Sequence, residues 1–224
     1  MTITLPPGEP PAGPWATASF GELLRLLHQA PVPAGRPRIV AVDGRSAGGK
    51  STLADRLHAA VPASAVVHID DISWHESYFG WAPLLVQRVL EPLRRGEAVR
   101  YRPSAWEARG RDGAIEVPAG LDLVIVEGVG SSQRAVSGLL DASVWVQSDF
   151  QEAERRGIAR DAALGVNGDA AETVAFWHQW MAEELPFLEQ DRPWERATVI
   201  VSGTPSGAVP DDEVLLAPGP LQTP

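Results

Sequence analysis

The sequence predicts an α/β fold: a five-stranded parallel sheet with helices on both faces. Three observations predict it. Five short apolar runs, at 39–42, 65–69, 121–126, 142–146 and 197–201, have the non-alternating, β-branched character of strands buried on both sides. Helical spacing or helix-cap signals fall between them, which is the alternation of a parallel sheet with crossover helices. The first run also passes through a glycine-rich stretch into a helical pattern, a strand–loop–helix unit.

Taken in order, residues 1–16 form a flexible lead-in, since Met1 to Pro14 holds five prolines and two glycines. Residues 17–29 place apolar side chains at 20, 23, 24, 26 and 27 and read as an amphipathic helix. A linker at 31–37 leads into the first strand. The helix after the glycine-rich loop, 51–60, turns Leu53 and Leu57 toward the sheet. The second strand ends in Asp70-Asp71. Residues 83–95 read as a helix with Pro83 near its first turn and Gly96 past its end, kinked or shortened by Pro92. Residues 98–117, with Pro103 and a Gly110–Gly113 turn, form a loop or hairpin excursion. Asp149 with Glu152, and Asp169 with Glu172, open two helices in the manner of capping boxes, together spanning 149–190. The last strand closes a single domain over 17–203, and 204–224 is a tail bearing proline and glycine.

The bulk properties exclude several classes. A chain of 224 residues is one domain, and a net charge of −10 opposes broad binding to a nucleic-acid polymer. There is no cysteine, which removes disulfides, thiolate metal sites and cysteine nucleophiles. No apolar stretch reaches membrane-span length and no secretory leader is evident, so a cytoplasmic protein without membrane contact is expected. Oligomeric state is open, and a homo-oligomer is compatible with the sequence.

The glycine-rich loop reads G-x-x-x-x-G-K-S from Gly44 to Ser51, a Walker A motif in its strand–loop–helix setting. The expected nucleotide-binding stretch is Gly44, Arg45, Ser46, Ala47, Gly48, Gly49, Lys50, Ser51 and Thr52. Glycines let the backbone approach a phosphate, and the following helix N-terminus favours an anion. Lys50 would meet the β- and γ-phosphates of ATP, and Ser51 would meet Mg²⁺. A chance Gly-rich turn is the bland alternative. Composition opposes it, because Lys50 is the only lysine among nineteen basic residues. A P-loop NTPase follows.

Ligands of such sheets bind beyond the carboxyl ends of the strands, which brings further residues to the same rim. Glu127 ends the run LDLVIVEG and is expected to support Mg²⁺ together with Ser51, against the alternative of a solvated turn residue. Asp70 is expected to take the proton of an acceptor hydroxyl, with Asp71 as a cap or metal-side neighbour. Successive strand residues face opposite ways, which is the basis for preferring Asp70. Arg156 and Arg160, on one side of the 149–164 helix, are expected to supply charge to the transferring phosphoryl group, with Arg155 about 100° round. The alternative is a solvated helix held by a Glu152–Arg156 pair, worth only a few tenths of a kcal/mol. Trp74, His75, Tyr101 and Trp106 lie in irregular segments where an acceptor pocket is expected to form. Trp177 belongs to a 174, 177, 181, 185, 188 core stripe, and Trp180 lies off it.

Together these residues resemble the uridine kinase family of P-loop kinases over most of 38–203. DGRSAGGKST is similar to that family's phosphate loop, HIDD to the strand end carrying its acceptor-site Asp, and VIVEG to its Walker B segment. SDFQEAERRGIARD resembles the start of its lid, and ATVIVSG its closing strand. The resemblance implies a nucleoside-monophosphate-kinase-like fold and MgATP-dependent phosphorylation of a nucleoside 5′-hydroxyl. The family follows its Asp with an aromatic pair, whereas this chain runs Asp70-Asp71-Ile72-Ser73-Trp74. Two other readings stand beside it: a kinase whose acceptor is a sugar, vitamin precursor or antibiotic, and a nucleotide-binding switch or ATPase without a small acceptor.

Overall fold

The computed structural model describes residues 3–222; Met1, Thr2, Thr223 and Pro224, the outer ends of the expected lead-in and tail, lie outside the described residues. Strand β1 (Ala16–Ser19) runs directly into helix α1 (Phe20–Leu27). The sequence predicts helix from Thr17, but these residues are extended. Ser19 stops the helix from reaching back, because its Oγ accepts from the Glu22 amide at 3.2 Å as an N-cap. Strand β2 (Arg38–Gly44), helix α2 (Lys50–Ala60) and strand β3 (Ser64–His68) follow. The second strand stops short of its predicted end, and Ile69–Ser73 forms a short helix, α3.

The helix predicted over 83–95 is present in three pieces. They are α4 (Ala82–Leu85), a π-helical turn at Val86–Leu90, and α5 (Glu91–Arg94). Pro92 has no amide hydrogen and clashes with a regular preceding turn, so widening that turn lets the chain stay helical through it. The excursion is a hairpin: β4 (Val99–Tyr101), helix α6 (Ser104–Ala108) and β5 (Ile115–Val117), with the strands antiparallel. Then come β6 (Leu123–Glu127), α7 (Arg134–Ser137), β7 (Ala142–Gln147), and the long helices α8 (Phe150–Leu164) and α9 (Ala170–Asp191). Asp149 and Asp169 cap the two long helices as their sequence signals predict, and Asp169 with Glu172 closes a full capping box. Strands β8 (Val199–Ser202) and β9 (Glu213–Pro218) complete the chain.

The main sheet has the order β1-β9-β8-β7-β2-β6-β3. The five predicted strands are its parallel part, from β8 to β3. Two antiparallel strands, β9 and β1, extend that edge to seven. They come from stretches read as tail and as helix, since ATAS carries no apolar period and EVLLAP is embedded among prolines and glycines.

Alternation along the strands builds a core on each face. Val40, Val42 and Ile125 pack with Leu53 and Leu57 of α2 and Leu23 and Leu27 of α1. Ile39, Val124 and Val126 pack on the other face with Ile72, Leu85, Leu90, Leu93 and Trp106. A smaller cluster gathers Trp145, Trp194, Leu188 and Ile200. The described part of the lead-in carries a turn at residues 7–8 and is anchored. Glu9 is buried, and its carboxylate accepts from Trp145 Nε1 at 2.7 Å, Gln147 Nε2 at 2.9 Å and Arg45 Nε at 3.0 Å. Among the described residues no helix is long and apolar enough to cross a membrane.

Candidate active site

The loop between β2 and α2 is shaped by close approaches. A Cβ on Gly44 would lie 2.6 Å from the Val146 carbonyl oxygen, and one on Gly48 would lie 2.9 Å from that of Arg45. Gly49, at φ 98°, is the N-cap of α2 and leaves the helix end without a side-chain cap. The first-turn N–H groups and the helix dipole therefore face the cleft, which suits a phosphate. Lys50 is buried, and its Nζ donates to the Arg45 carbonyl at 2.8 Å.

Parallel pairing of β3 with β6 sets His68 beside Glu127. His68 Nδ1 lies 2.9 Å from Glu127 Oε2, and Ser51 Oγ donates to Glu127 Oε1 at 3.2 Å. Burial alone would raise the Glu127 carboxyl, but the His68 hydrogen bond and the Lys50 charge outweigh it and hold the group below the usual range. The Glu127 hydrogen bond correspondingly raises His68 above its ordinary value, against the opposing effect of burial. A hydroxyl and an ionised carboxylate at hydrogen-bond distance, beside a glycine-shaped loop, are a donor set that fits Mg²⁺ on a nucleotide phosphate.

Asp70 and Asp71 do not end a strand. Both lie in the first turn of α3, where neighbours diverge by about 100° around the helix axis. The alternation argument for choosing between them therefore does not apply, and the helical turn separates them instead. Asp70 borders the cleft. It is open to solvent there yet walled by protein, and burial raises its carboxyl above the usual range against the lowering charge of Lys50. Asp71 turns away to an ion pair with Arg111.

The cleft has a volume of about 450 Å³. Residues 46–52, Asp70, Glu127, Arg156 and Arg160 all border it. Arg156 Nη1 donates to the Gly203 carbonyl at 3.1 Å and its Nε to Glu152 at 2.7 Å, while Arg160 Nε donates to Asp161 at 2.8 Å. Arg155 pairs with Glu152 at 2.7 Å and does not border the cleft. A second cavity of about 280 Å³ adjoins it, sharing Gly49, Thr52 and Arg156 and lined further by Arg56, Gly203 and Pro205.

Other residues singled out in the sequence lie elsewhere. Gly44 and Arg45, at the start of the loop, are both buried and do not border the cleft. Trp74, His75, Tyr101 and Trp106 do not border the cleft. Trp106 is buried, donates from Nε1 to the Asp71 carbonyl at 2.9 Å, and has the Arg111 guanidinium 3.6 Å from its ring centre. The same guanidinium lies 5.4 Å from the Trp74 ring, whose edge meets His75, and Tyr101 lies under Arg88 at 6.0 Å. Trp106 and Arg111 thus pin the hairpin to α3, and Tyr101 ties it to the π-helical turn.

Sequence reasoning assigns no role to four further residues. Trp180 borders the cleft, and its position off the core stripe was the available signal. Glu184, four residues on, is buried against Ser46. His68, inside the predicted second strand and the last residue of β3, pairs with Glu127. Asp43, next to the motif, is fully buried and accepts from the amides of Gly44 and Gly130 at 2.8 Å and from Ser132 N at 2.9 Å and Oγ at 2.7 Å. It thereby fixes the loop that follows Glu127.

No protein family matches the chain, and no curated protein matches it by sequence. Solved structures do. A candidate fructose transport system kinase from Silicibacter sp. TM1040 superposes at a TM-score of 0.51 and 23% identity, over 77% of this chain and 90% of its own. D-glycerate 3-kinase from Cryptococcus neoformans var. grubii superposes at 0.57 and 15% identity, over 82% and 93%. A possible uridine kinase from Bacillus stearothermophilus reaches 0.45 at 18% identity, over 80% and 98%, a superposition too loose to carry an argument. At these identities the likeness speaks to the fold. The chain shares the α/β fold of the first two of these proteins, with a mostly parallel central sheet.

Proposed function

We propose that the protein is an ATP-dependent kinase acting on a hydroxyl group of a small molecule. The observation that carries this reading is the placement of Asp70 in one cleft with Lys50, Glu127 and Arg160. A phosphate loop alone would serve a switch or an ATPase. A carboxylate across the cleft, raised toward a useful proton acceptor by burial, suits an acceptor hydroxyl.

In this reading the acceptor oxygen gives its proton to Asp70 as it bonds to the γ-phosphorus, and the bond from that phosphorus to the β–γ bridging oxygen breaks, leaving ADP. Lys50, Arg156 and Arg160 offset negative charge on the phosphoryl oxygens, and the loop amides orient them. Ser51 and Glu127 would hold Mg²⁺, which supplies further charge neutralisation at the phosphates. The adjoining cavity suits the donor's ribose and base, because it shares Gly49, Thr52 and Arg156 with the cleft.

A nucleoside 5′-hydroxyl is the acceptor that the sequence resemblance favours. The rings expected to stack on its base lie outside the cleft, which leaves Trp180 as the aromatic on its border among the described residues. A sugar or another small alcohol fits the same carboxylate chemistry. The deciding experiment measures ADP release from ATP across nucleosides, sugars and vitamin precursors, with a control lacking acceptor. Stimulation by one class identifies the acceptor. An acceptor-independent rate that no compound changes would replace this reading with an ATPase or switch.

A further inference from the structure

We propose that Glu184 is a positioning residue that fastens the phosphate loop to helix α9, so that one buried carboxylate sets both Ser46 and Trp180. The inference rests on the nucleotide-binding reading above and adds a residue outside the cleft wall.

The Glu184 side chain is fully buried. It accepts from Ser46 N at 3.2 Å, Ser46 Oγ at 2.6 Å and Trp180 Nε1 at 2.6 Å. Trp180 Nε1 also lies 2.7 Å from Ser46 Oγ, which closes a triangle. A buried carboxylate is unfavourable unless it is hydrogen-bonded and compensated. Arg45, itself in the phosphate loop, compensates it, with Nη1 3.9 Å from Glu184 Oε1, and is held in turn by Glu9. Buried ion groups of this kind seldom improve stability over apolar packing, so their placement calls for another account.

The backbone supplies it. Ala47, the residue after Ser46, has φ 56°, in the left-handed region that a residue with a Cβ rarely adopts. Such a conformation costs on the order of 1–3 kcal/mol and persists only where surrounding contacts over-determine it. Glu184 grips Ser46 through backbone and side chain immediately before the strained position. Ser46 and Trp180 both border the cleft, one on the loop and one on the helix, whereas Glu184 does not. Nucleotide affinity and the placement of the Trp180 ring are therefore coupled through it.

The test uses the full chain with ADP and Mg²⁺ as probe. Glu184→Gln keeps the volume but turns one acceptor oxygen into a donor facing other donors. Loss of a charge-assisted hydrogen bond predicts an ADP Kd raised roughly tenfold by calorimetry. The ³¹P resonance of the bound β-phosphate should also move, which a purely structural residue would not cause. Trp180→Phe keeps a ring and removes the N–H, and should raise Kd about threefold alone. In the Glu184→Gln background it should add nothing further, since the coupling runs through the missing carboxylate. An unchanged Kd and resonance in Glu184→Gln, or additive effects of the two changes, overturns the proposal. If Glu184→Gln does not fold, Trp180→Phe decides alone: a shifted resonance and weaker binding support the coupling, and wild-type values for both overturn it. A wild-type protein that binds no ADP overturns the nucleotide reading itself, and the coupling with it.

Discussion

At Asp70 two influences meet: burial raises the carboxyl, and the Lys50 charge lowers it less than burial raises it. A general base must be ionised, so activity is lost as pH falls through this raised value. The acid limb of the kcat/KM profile should therefore lie above the ordinary aspartate range, about 3.9. Asp70→Asn should lower kcat by about 10²–10⁴, remove that limb, and leave the ADP Kd close to wild type, because the phosphate loop is untouched. A pH–rate series on both proteins checks it, and a profile unchanged by the substitution would assign the base elsewhere. Lys50 was legible because a chain that otherwise uses arginine has its one lysine at the motif. Glu184 was not legible. Its spacing from Trp177, Met181 and Leu188 sets it on the buried face of α9, unlike Glu183, but nothing local names its partner Ser46, which lies 138 residues away.

Among the elements, the parallel strands and the two long helices could be read because their signals are local: continuous apolar runs and Asp–Glu caps. The π-helical turn, β1 and β9 depend on partners far along the chain or on a clash relieved over several residues. Close packing between elements yields the next prediction. A Cβ on Gly203, just past β8, would lie 1.9 Å from the carbonyl oxygen of Gly48 in the phosphate loop. The obstacle is backbone and not a side chain that could swing aside. Gly203→Ala should thus displace the loop at a cost of about 1–3 kcal/mol, weakening ADP binding between roughly fivefold and a hundredfold. Calorimetry measures this directly, and wild-type affinity would mean that the loop tolerates the shift.

For the whole molecule, Asp141 joins distant parts of the chain. Arg36 donates to both its oxygens at 2.7 Å, the Ile39 amide to Oδ2 at 2.9 Å, and Arg94 to Oδ1 at 3.4 Å. Burial would raise this carboxyl, but the Arg36 hydrogen bond and charge hold it below its usual range. Its contribution is complete above the unfolded value of about 3.9 and is lost as pH falls through the lower folded one. Asp141→Asn should destabilise the protein by about 3 kcal/mol at neutral pH, since it leaves Arg36 without its counter-charge. The gap in Tm between the two proteins should close in acid. A gap that stays constant down to pH 2 would mean that the stabilisation is not ionic. The sheet's outer edge has a consequence for how the chain is made. Ala16 pairs with Leu216, so β1 leaves the ribosome 200 positions ahead of its partner. The five parallel strands can assemble during synthesis, but the edge of β8 stays open until β9 emerges, and nascent chains at that stage are the ones most exposed to pairing with a neighbour.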